Sequence, residues 1–424
     1  MTTCNALLIS APASGQGKTF ITAALARAWR NQGLRVQAFK CGPDFLDPMI
    51  LEVATGRPVY NLDFTMCGEG DAEAQLYRAA QDADLIIVEG VMGLYDGSPS
   101  SADIAVRFNL PVLLTIDASG MAQTFGALAS GLLSHKPELI PAGVLANKTG
   151  SVGHGKLLHD SLPPHLNWFG ALQKNEALSL PERHLGLFRA GEISDLEQKI
   201  EEAASALAQD LPRPPAVTFS EPSTLPPPKL LAGKTIAIAR DEAFCFIYQA
   251  NLDCLQDMGA SLRFFSPLDD HTLPEADAYW LPGGYPELHL NKISSNLAMK
   301  NALQAAFDAH KPILAECGGM MALSTCLNDE PCFDLLSGVS KIEDRLQGLG
   351  SLKATLLNDE MGAHTFHYGS FTTELPPIAT AKTRFGKVEN IYQHGSIIAS
   401  FLHFYFASNP NLAAQLLTPR FMAR

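Results

Sequence analysis

The sequence predicts two α/β domains in tandem, each built on a largely parallel sheet, and three observations predict it. Short apolar runs alternate with helix-forming stretches, and the runs are apolar throughout rather than at every second residue. That is the pattern of parallel strands covered by helices on both faces. The alternation stops at a proline-rich stretch and then restarts, and a chain of 424 residues exceeds what one hydrophobic core ordinarily organises.

In chain order, Ala6 to Ser10 reads as the first strand and Thr19 to Gln32 as a helix closed by Gly33. Val36 to Lys40, Leu85 to Glu89, Val112 to Asp117 and Gly143 to Asn147 read as four further strands. From Pro212 to Pro228 the chain holds seven of its 28 prolines. Proline lacks an amide donor and fixes φ, so this stretch is expected to form neither a helix nor a central strand, and to serve as a linker. Beyond it, Thr235 to Ala239, Ser261 to Phe265, Ala278 to Leu281 and Pro312 to Ala315 read as strands, with a helix over Tyr248 to Met258. The stretch from about Gly348 to Thr373 is richer in antiparallel strands. The expected organisation is 1–211 for the first domain, 212–231 for the linker and 232–424 for the second domain.

Hydrophobic residues make up 46% of the chain and charged residues 18%, which suits a packed α/β protein rather than a disordered one. A formal net charge of −13 argues against a nucleic-acid or anionic-membrane surface, so neither is expected as a partner. No run reaches the ~18 to 20 apolar residues that a bilayer span needs. Residues 1–15 carry no Lys or Arg for a secretory leader, so a cytoplasmic protein is expected. The eight cysteines include no Cys-x-x-Cys pair, which suggests neither a zinc site nor a disulfide framework.

Ala13-Ser14-Gly15-Gln16-Gly17-Lys18-Thr19 lies between the first strand and its helix. Such a loop cradles phosphate with backbone amides and the lysine, while the hydroxyl reaches Mg²⁺. Pro12 stands where the strict pattern has its first glycine, but Gly15, Gly17, Lys18 and Thr19 keep the parts that touch phosphate. Lys40 to Pro48 directly follows the second strand, and Glu89 to Gly97 follows the third. Residues just past the carboxyl ends of parallel strands gather round one crevice. Asp44, Asp47, Glu89 and Asp96 are therefore expected to face the phosphates, with Thr19, Asp44 and Glu89 as Mg²⁺ ligands. Lys40, Asp47 and Asp96 are candidates for contact with the substrate and the transferring phosphoryl group. The competing expectation is that these carboxylates cap helices or turns. Asn147, ending the fifth strand, is either a reader of the adenine edge or a structural asparagine.

Downstream, Ile313-Leu314-Ala315-Glu316-Cys317-Gly318-Gly319 reads as a buried strand running into a sharp turn that displays a thiol. Flanking glycines permit the turn, and a helix N-terminus there is expected to lower the thiol pKa. Pro282-Gly283-Gly284-Tyr285-Pro286-Glu287 ends another strand, and Gly283 with Gly284 could aim backbone amides at an oxyanion. His403, in an aromatic β-like run, is the candidate general base. His364 and His367 are its rivals, or substrate ligands.

Together these blocks, with Pro181 to Leu187 and His364-Thr365-Phe366-His367-Tyr368, resemble the cobyrinic acid a,c-diamide synthases, amidotransferases of corrin biosynthesis, along the whole chain. The resemblance implies a dethiobiotin synthetase-type P-loop domain followed by a class I glutamine amidotransferase domain. It implies that Cys317 attacks the carboxamide of glutamine, that His403 activates the thiol, and that Gly283 and Gly284 help form the oxyanion hole. Many class I amidotransferases carry a Glu two residues after this histidine, where this chain has Tyr405, so a Cys–His pair without a third member is implied. Ser14, Gly15, Gln16, Gly17, Lys18, Thr19 and Asn147 would hold ATP with Mg²⁺ while a substrate acetate attacks the γ-phosphate. Ammonia from Cys317 would pass between the domains to the acyl phosphate. The implied partners are a tetrapyrrole, glutamine and ATP, and a homodimeric assembly is compatible with the family.

One departure is Met49-Ile50-Leu51, where relatives carry an aromatic residue and then a histidine; a weakened substrate contact is expected. Sibling activities stay open, namely a nickel-sirohydrochlorin a,c-diamide synthase or a cobyric acid synthase. A non-enzymatic P-loop ATPase switch would account for Lys18 and the acidic residues but would leave the thiol domain idle.

Overall fold

The computed structural model describes all residues except 179, 184–185, 209–210, 224–225, 385 and 420–424, and only the backbone at 182–183 and 186–187. The block Pro181 to Leu187 therefore lies partly outside the described residues. The chain forms two compact units, Met1–Phe64 with Glu69–Thr224, and Thr65–Gly68 with Leu225–Arg424.

The first unit is built on strands β1 (Thr2–Ser10), β2 (Val36–Cys41), β3 (Tyr60–Leu62), β4 (Leu85–Glu89), β5 (Val112–Asp117), β6 (Pro141–Thr149) and β7 (Trp168–Gln173). They pair in the order β3-β2-β4-β1-β5-β6-β7, and every pair is parallel. Successive residues of β1 explain the unbroken apolar run: Ala6 and Leu8 enter one core, while Leu7 and Ile9 enter the other. The apolar runs in the sequence locate five of the seven strands. β3 is three residues long, and β7 is interrupted by Gly170 at φ 111°, so neither carries a strong pattern.

An eighth strand, β8 (Ala216–Phe219), corrects the linker. It pairs antiparallel with the start of β1, Thr2 opposite Phe219. These four residues form a proline-free island within the proline-rich stretch, so they can donate to a ladder, and the flanking prolines serve as acceptors: Ala6 N–H donates to the Pro215 carbonyl. Ile50 and Leu51 are fully buried in a core cluster. They pack on the inner face of the helix Leu46–Thr55, so in this chain neither side chain is exposed to meet a substrate.

The second unit carries β9 (Thr235–Ala239), β10 (Ser261–Phe265), β11 (Ala278–Leu281), β12 (Ile313–Glu316), β13 (Gly348–Leu356), β14 (Asp359–His367), β15 (Pro377–Lys382), β16 (Val388–His394), β17 (Ile397–Ser400) and β18 (His403–Phe404). Its main sheet has the order β10-β9-β11-β12-β17-β16-β15; the first five strands are parallel and the last two antiparallel. β13, β14 and β18 form a separate antiparallel sheet. β12 and β17 are neighbours, so the turn after β12 and the segment after β17 emerge side by side.

Candidate functional site

Each unit gathers one site at the carboxyl ends of its parallel strands. In the first, a cavity of about 610 Å³ is lined by Ser14, Gly15, Gly17, Lys18 and Thr19, and across it by Lys40, Asp44, Asp47 and Glu89. Gly15 and Gly17 have φ of 74° and 82°, the left-handed conformation the turn needs before the helix Lys18–Asn31. Lys18 Nζ donates to the Ala13 carbonyl at 3.3 Å, folding back over the loop. Burial, and then the neighbouring Lys40, push its ammonium below the ordinary lysine range.

Lys40 and Glu89 are register partners on β2 and β4, which puts their side chains on one face. Lys40 Nζ lies 2.8 Å from Glu89 Oε1 and also pairs with Asp47. Burial acts to lower the Lys40 ammonium, but Asp47, Glu89 and Asp44 outweigh it and hold it above its usual range. Burial raises the Glu89 carboxyl, and burial together with Asp47 raises that of Asp44. Asp44 also meets the structural expectation: its Oδ1 accepts from the Leu46 and Asp47 amides at the start of the helix Leu46–Thr55.

Two predicted residues sit elsewhere. Asp96 is exposed, accepts from the Gly93 amide at 3.0 Å and does not line the cavity, although its charge acts on Lys18. Gln16 turns away to brace the loop, its Oε1 accepting from the Asp117 amide at 2.9 Å. Asn147 lines the cavity, but its Nδ2 donates to the Gln16 carbonyl at 2.9 Å and a Cβ on Gly17 would lie 2.5 Å from that nitrogen. It holds the phosphate loop in place. Sequence reading missed Lys148, paired with Asp117 at 2.8 Å, and Gln173, Lys174 and Asn175, which also line the cavity. Gln173 ends β7 and Lys174 and Asn175 follow it, so recognising that strand would have found them.

The fit to Mg²⁺ rests on Glu89. Its Oε1 accepts from Thr19 Oγ1 at 2.8 Å, while its Oε2 is buried with no hydrogen-bond partner. Among the described residues no cluster of three or more His, Cys, Asp or Glu side chains could hold a metal. Thr19 and Glu89 offer one or two oxygens, which suits an ion that draws the rest of its ligands from phosphate and water, as Mg²⁺ does.

In the second unit, Cys317 follows β12 with φ 46° and ψ −108°, a strained conformation for a non-glycine residue. The glycines after it are required by close backbone approach: a Cβ on Gly319 would lie 2.1 Å from the Leu281 carbonyl oxygen, and one on Gly318 would lie 2.9 Å from the Gly284 nitrogen. Gly283 lies between the two candidate catalytic groups. A Cβ there would lie 2.2 Å from His403 Cε1 and 3.3 Å from the Cys317 Cβ. The Gly283 carbonyl accepts from the Cys245 and Phe246 amides at 3.0 Å each. The Gly284 N–H of the same trans peptide therefore points the opposite way.

The expected drop in the thiol pKa is not found. Burial, then the charge of Glu287, push the Cys317 thiol up, and the Gly318 amide opposes only in part. A fully buried thiol at a helix of six residues, Gly318–Leu323, gains little from the helix end against that desolvation. Burial, then His364 and His367, hold the His403 imidazole well below its usual range. Both shifts favour the neutral forms of the thiol and the imidazole. His364 lies across from His403 in the β14–β18 pairing, ring centroids 6.1 Å apart. His367 has both ring nitrogens engaged by Gly369 and Glu389. No helix among the described residues is long and apolar enough to cross a membrane.

Residues 7–188 match the CobQ/CobB/MinD/ParA nucleotide binding domain, and residues 235–411 match the CobB/CobQ-like glutamine amidotransferase domain. The chain is 52% identical to a hydrogenobyrinate a,c-diamide synthase of Stutzerimonas stutzeri, covering 98% of this chain and 99% of that protein. It is 50% identical to the Pseudomonas aeruginosa protein of the same name, over 98% of each. A cobyrinate a,c-diamide synthase of Herminiimonas arsenicoxydans is 44% identical over 98% of this chain and 97% of that one. The chain belongs to the cobyrinate a,c-diamide synthase family. As a member, it is an amide-forming ligase with a nucleotide-binding domain and a glutamine amidotransferase domain, which removes the non-enzymatic switch.

Proposed function

We propose that this chain amidates the a and c acetates of hydrogenobyrinate, the metal-free ring, using glutamine and ATP. The relatives at 52% and 50% identity carry that substrate in their names, whereas the cobyrinate enzyme stands at 44%. The observation that carries the chemistry is the placement of Gly283 between the His403 ring and the Cys317 Cβ, where any side chain would collide with the imidazole.

His403 accepts the thiol proton as Cys317 Sγ attacks the glutamine carboxamide, and the Gly284 N–H donates to the oxyanion. The His403 imidazolium returns the proton to the leaving nitrogen, ammonia departs as the thioester forms, and water activated by the same imidazole releases glutamate and restores the thiol. In the first unit, Lys18 and the amides of Gly15 to Thr19 hold the triphosphate. An acetate oxygen attacks the γ-phosphorus, ADP departs, and ammonia then displaces phosphate from the acyl phosphate. Thr19 and Glu89 would hold Mg²⁺, and the chemistry it supplies is neutralisation of charge on the phosphoryl group. Lys40, held charged by Asp47 and Glu89, orients the incoming carboxylate.

Mass spectrometry of hydrogenobyrinate and cobyrinate, each incubated with the enzyme, ATP, Mg²⁺ and glutamine, tests this. Two added amides on the metal-free ring, with slower conversion of the cobalt ring, are expected. Preference for the cobalt ring, or, in a third incubation, for nickel-sirohydrochlorin, would refute the substrate assignment.

A further inference from the structure

The block His364 to Tyr368 holds a feature that the chemistry above does not use. His367 is buried on β14, and both of its ring nitrogens face acceptors. Nδ1 lies 2.7 Å from the Gly369 carbonyl oxygen and Nε2 lies 3.1 Å from Glu389 Oε1. A neutral imidazole has a single N–H and can satisfy one of these contacts; an imidazolium satisfies both. Glu389 Oε1 also accepts from Thr365 Oγ1 at 2.8 Å, as an ionised carboxylate can. The two side chains are each 6% exposed, so each charge is balanced chiefly by the other. The His367 ring lies flat on Phe401, with centroids 3.9 Å apart and planes 4° apart, a favourable stack for a cation. Gly348 closes the cluster, since a Cβ there would lie 2.4 Å from Glu389 Oε1 and 2.5 Å from His367 Nε2.

Phe401 lies in the short segment joining β17 to β18, two residues before His403. Glu389 lies on β16, whose partner is β17. We propose that His367 is an imidazolium in the resting enzyme and that its ion pair with Glu389 is a positioning device, acting through Phe401 to seat the His403 imidazole beside Cys317. This rests on reading His403 as the base. Among the described residues, the titratable groups facing His367 are Glu389 from β16, His364 from its own strand and His403 from β18. Phe401, Thr365 and the Gly369 carbonyl are uncharged. A positive His367 also opposes protonation of His403, so the resting imidazole stays neutral.

The test is ¹⁵N NMR of the full chain labelled at histidine, with His367 assigned by its loss in His367→Gln. At pH 7.5 both His367 ring nitrogens should resonate as an imidazolium, and Glu389→Gln should convert them to a neutral pattern. The same two variants should lose about tenfold or more of glutamine-dependent amidation through misplacement of the base, while keeping ammonia-dependent amidation within about twofold. A neutral His367 in the wild type overturns the proposal. Unchanged glutaminase in both variants, or equal loss with both nitrogen sources, overturns it as well. If His403→Ala keeps its glutaminase, the reading of the base is what fails, and the NMR arm still decides the ion pair.

Discussion

The backbone N–H of Phe404 donates to Glu316 Oε1 at 3.0 Å, so the residue before Cys317 holds the residue after His403. The other Glu316 oxygen accepts from the Trp280 indole at 3.0 Å. A buried glutamate side chain thus ties β12, β11 and β18 together at the thiol. Its bond is to the backbone beside the histidine, where a triad acid would bond the imidazole itself.

Glu316→Ala should leave two buried donors unsatisfied, costing about 1–3 kcal/mol each, and should lower glutamine-dependent synthesis through displacement of His403. Thermal denaturation against pH provides a second check. Burial pushes the Glu316 carboxyl up to about 8, opposed by the Phe404 amide and the Trp280 indole. An unfolded glutamate titrates near 4.3, roughly, so the folded state binds the extra proton between these values. This contribution to stability is full at low pH and is lost as pH rises through about 8. Glu316→Gln cannot titrate and should flatten that slope; an unchanged slope would place the titration elsewhere.

Cys317→Ser should abolish glutamine-dependent amidation and spare synthesis at high ammonium, because only nitrogen release needs the thiol. His403→Ala should behave alike. Since burial keeps the resting thiol protonated, alkylation of Cys317 by iodoacetamide should climb with pH and show no plateau near neutrality. A plateau there would reveal a resting thiolate–imidazolium pair, contrary to the neutral pair described above.

At the phosphate end, Lys18→Ala and Glu89→Gln should impair synthesis with either nitrogen source, on the order of 10² to 10³ in rate. Asp44→Asn combines that role with a helix cap and should also lower stability by about 1 kcal/mol. Asp96→Asn should have the smallest effect, because its side chain is exposed and closes the Gly93 turn. Steady-state rates with glutamine and with ammonium give the ranking directly. Asp96→Asn matching Glu89→Gln would return Asp96 to the phosphoryl-transfer site.

Much of this was legible in the sequence because strand ends in a parallel sheet are local signals. The run Leu85 to Glu89 announces both a buried strand and the carboxylate at its end, and the same holds for Glu316-Cys317. What stayed hidden depends on partners far along the chain. Nothing near Glu389 reveals that it meets Thr365 and His367, because the register of β14 against β13 and the course of β16 bring them together. Likewise, the helix end beside Cys317 suggests an acidified thiol, and only the packing of the second unit decides that desolvation wins. β8 was obscured by its flanking prolines, which end a strand without forbidding four residues between them.

The final prediction concerns the order of events. The sequence carries a single candidate phosphate loop, Ser14 to Thr19, so under this reading one acyl phosphate forms at a time, and the acetates occupy different places on a rigid ring. The ring must be released or turned before the second round. A mono-amide should therefore accumulate early and the diamide later, with one ATP consumed for each amide formed. Propionates should stay untouched, because an added methylene shifts the carboxylate from the γ-phosphorus and a displacement of about 1 Å can cost ~10² in rate. A quenched time course with excess substrate, read by mass spectrometry, distinguishes the cases. Diamide appearing without any lag or mono-amide would mean that both acetates are amidated in one encounter. Amides on propionates would instead assign the chain the chemistry of a cobyric acid synthase.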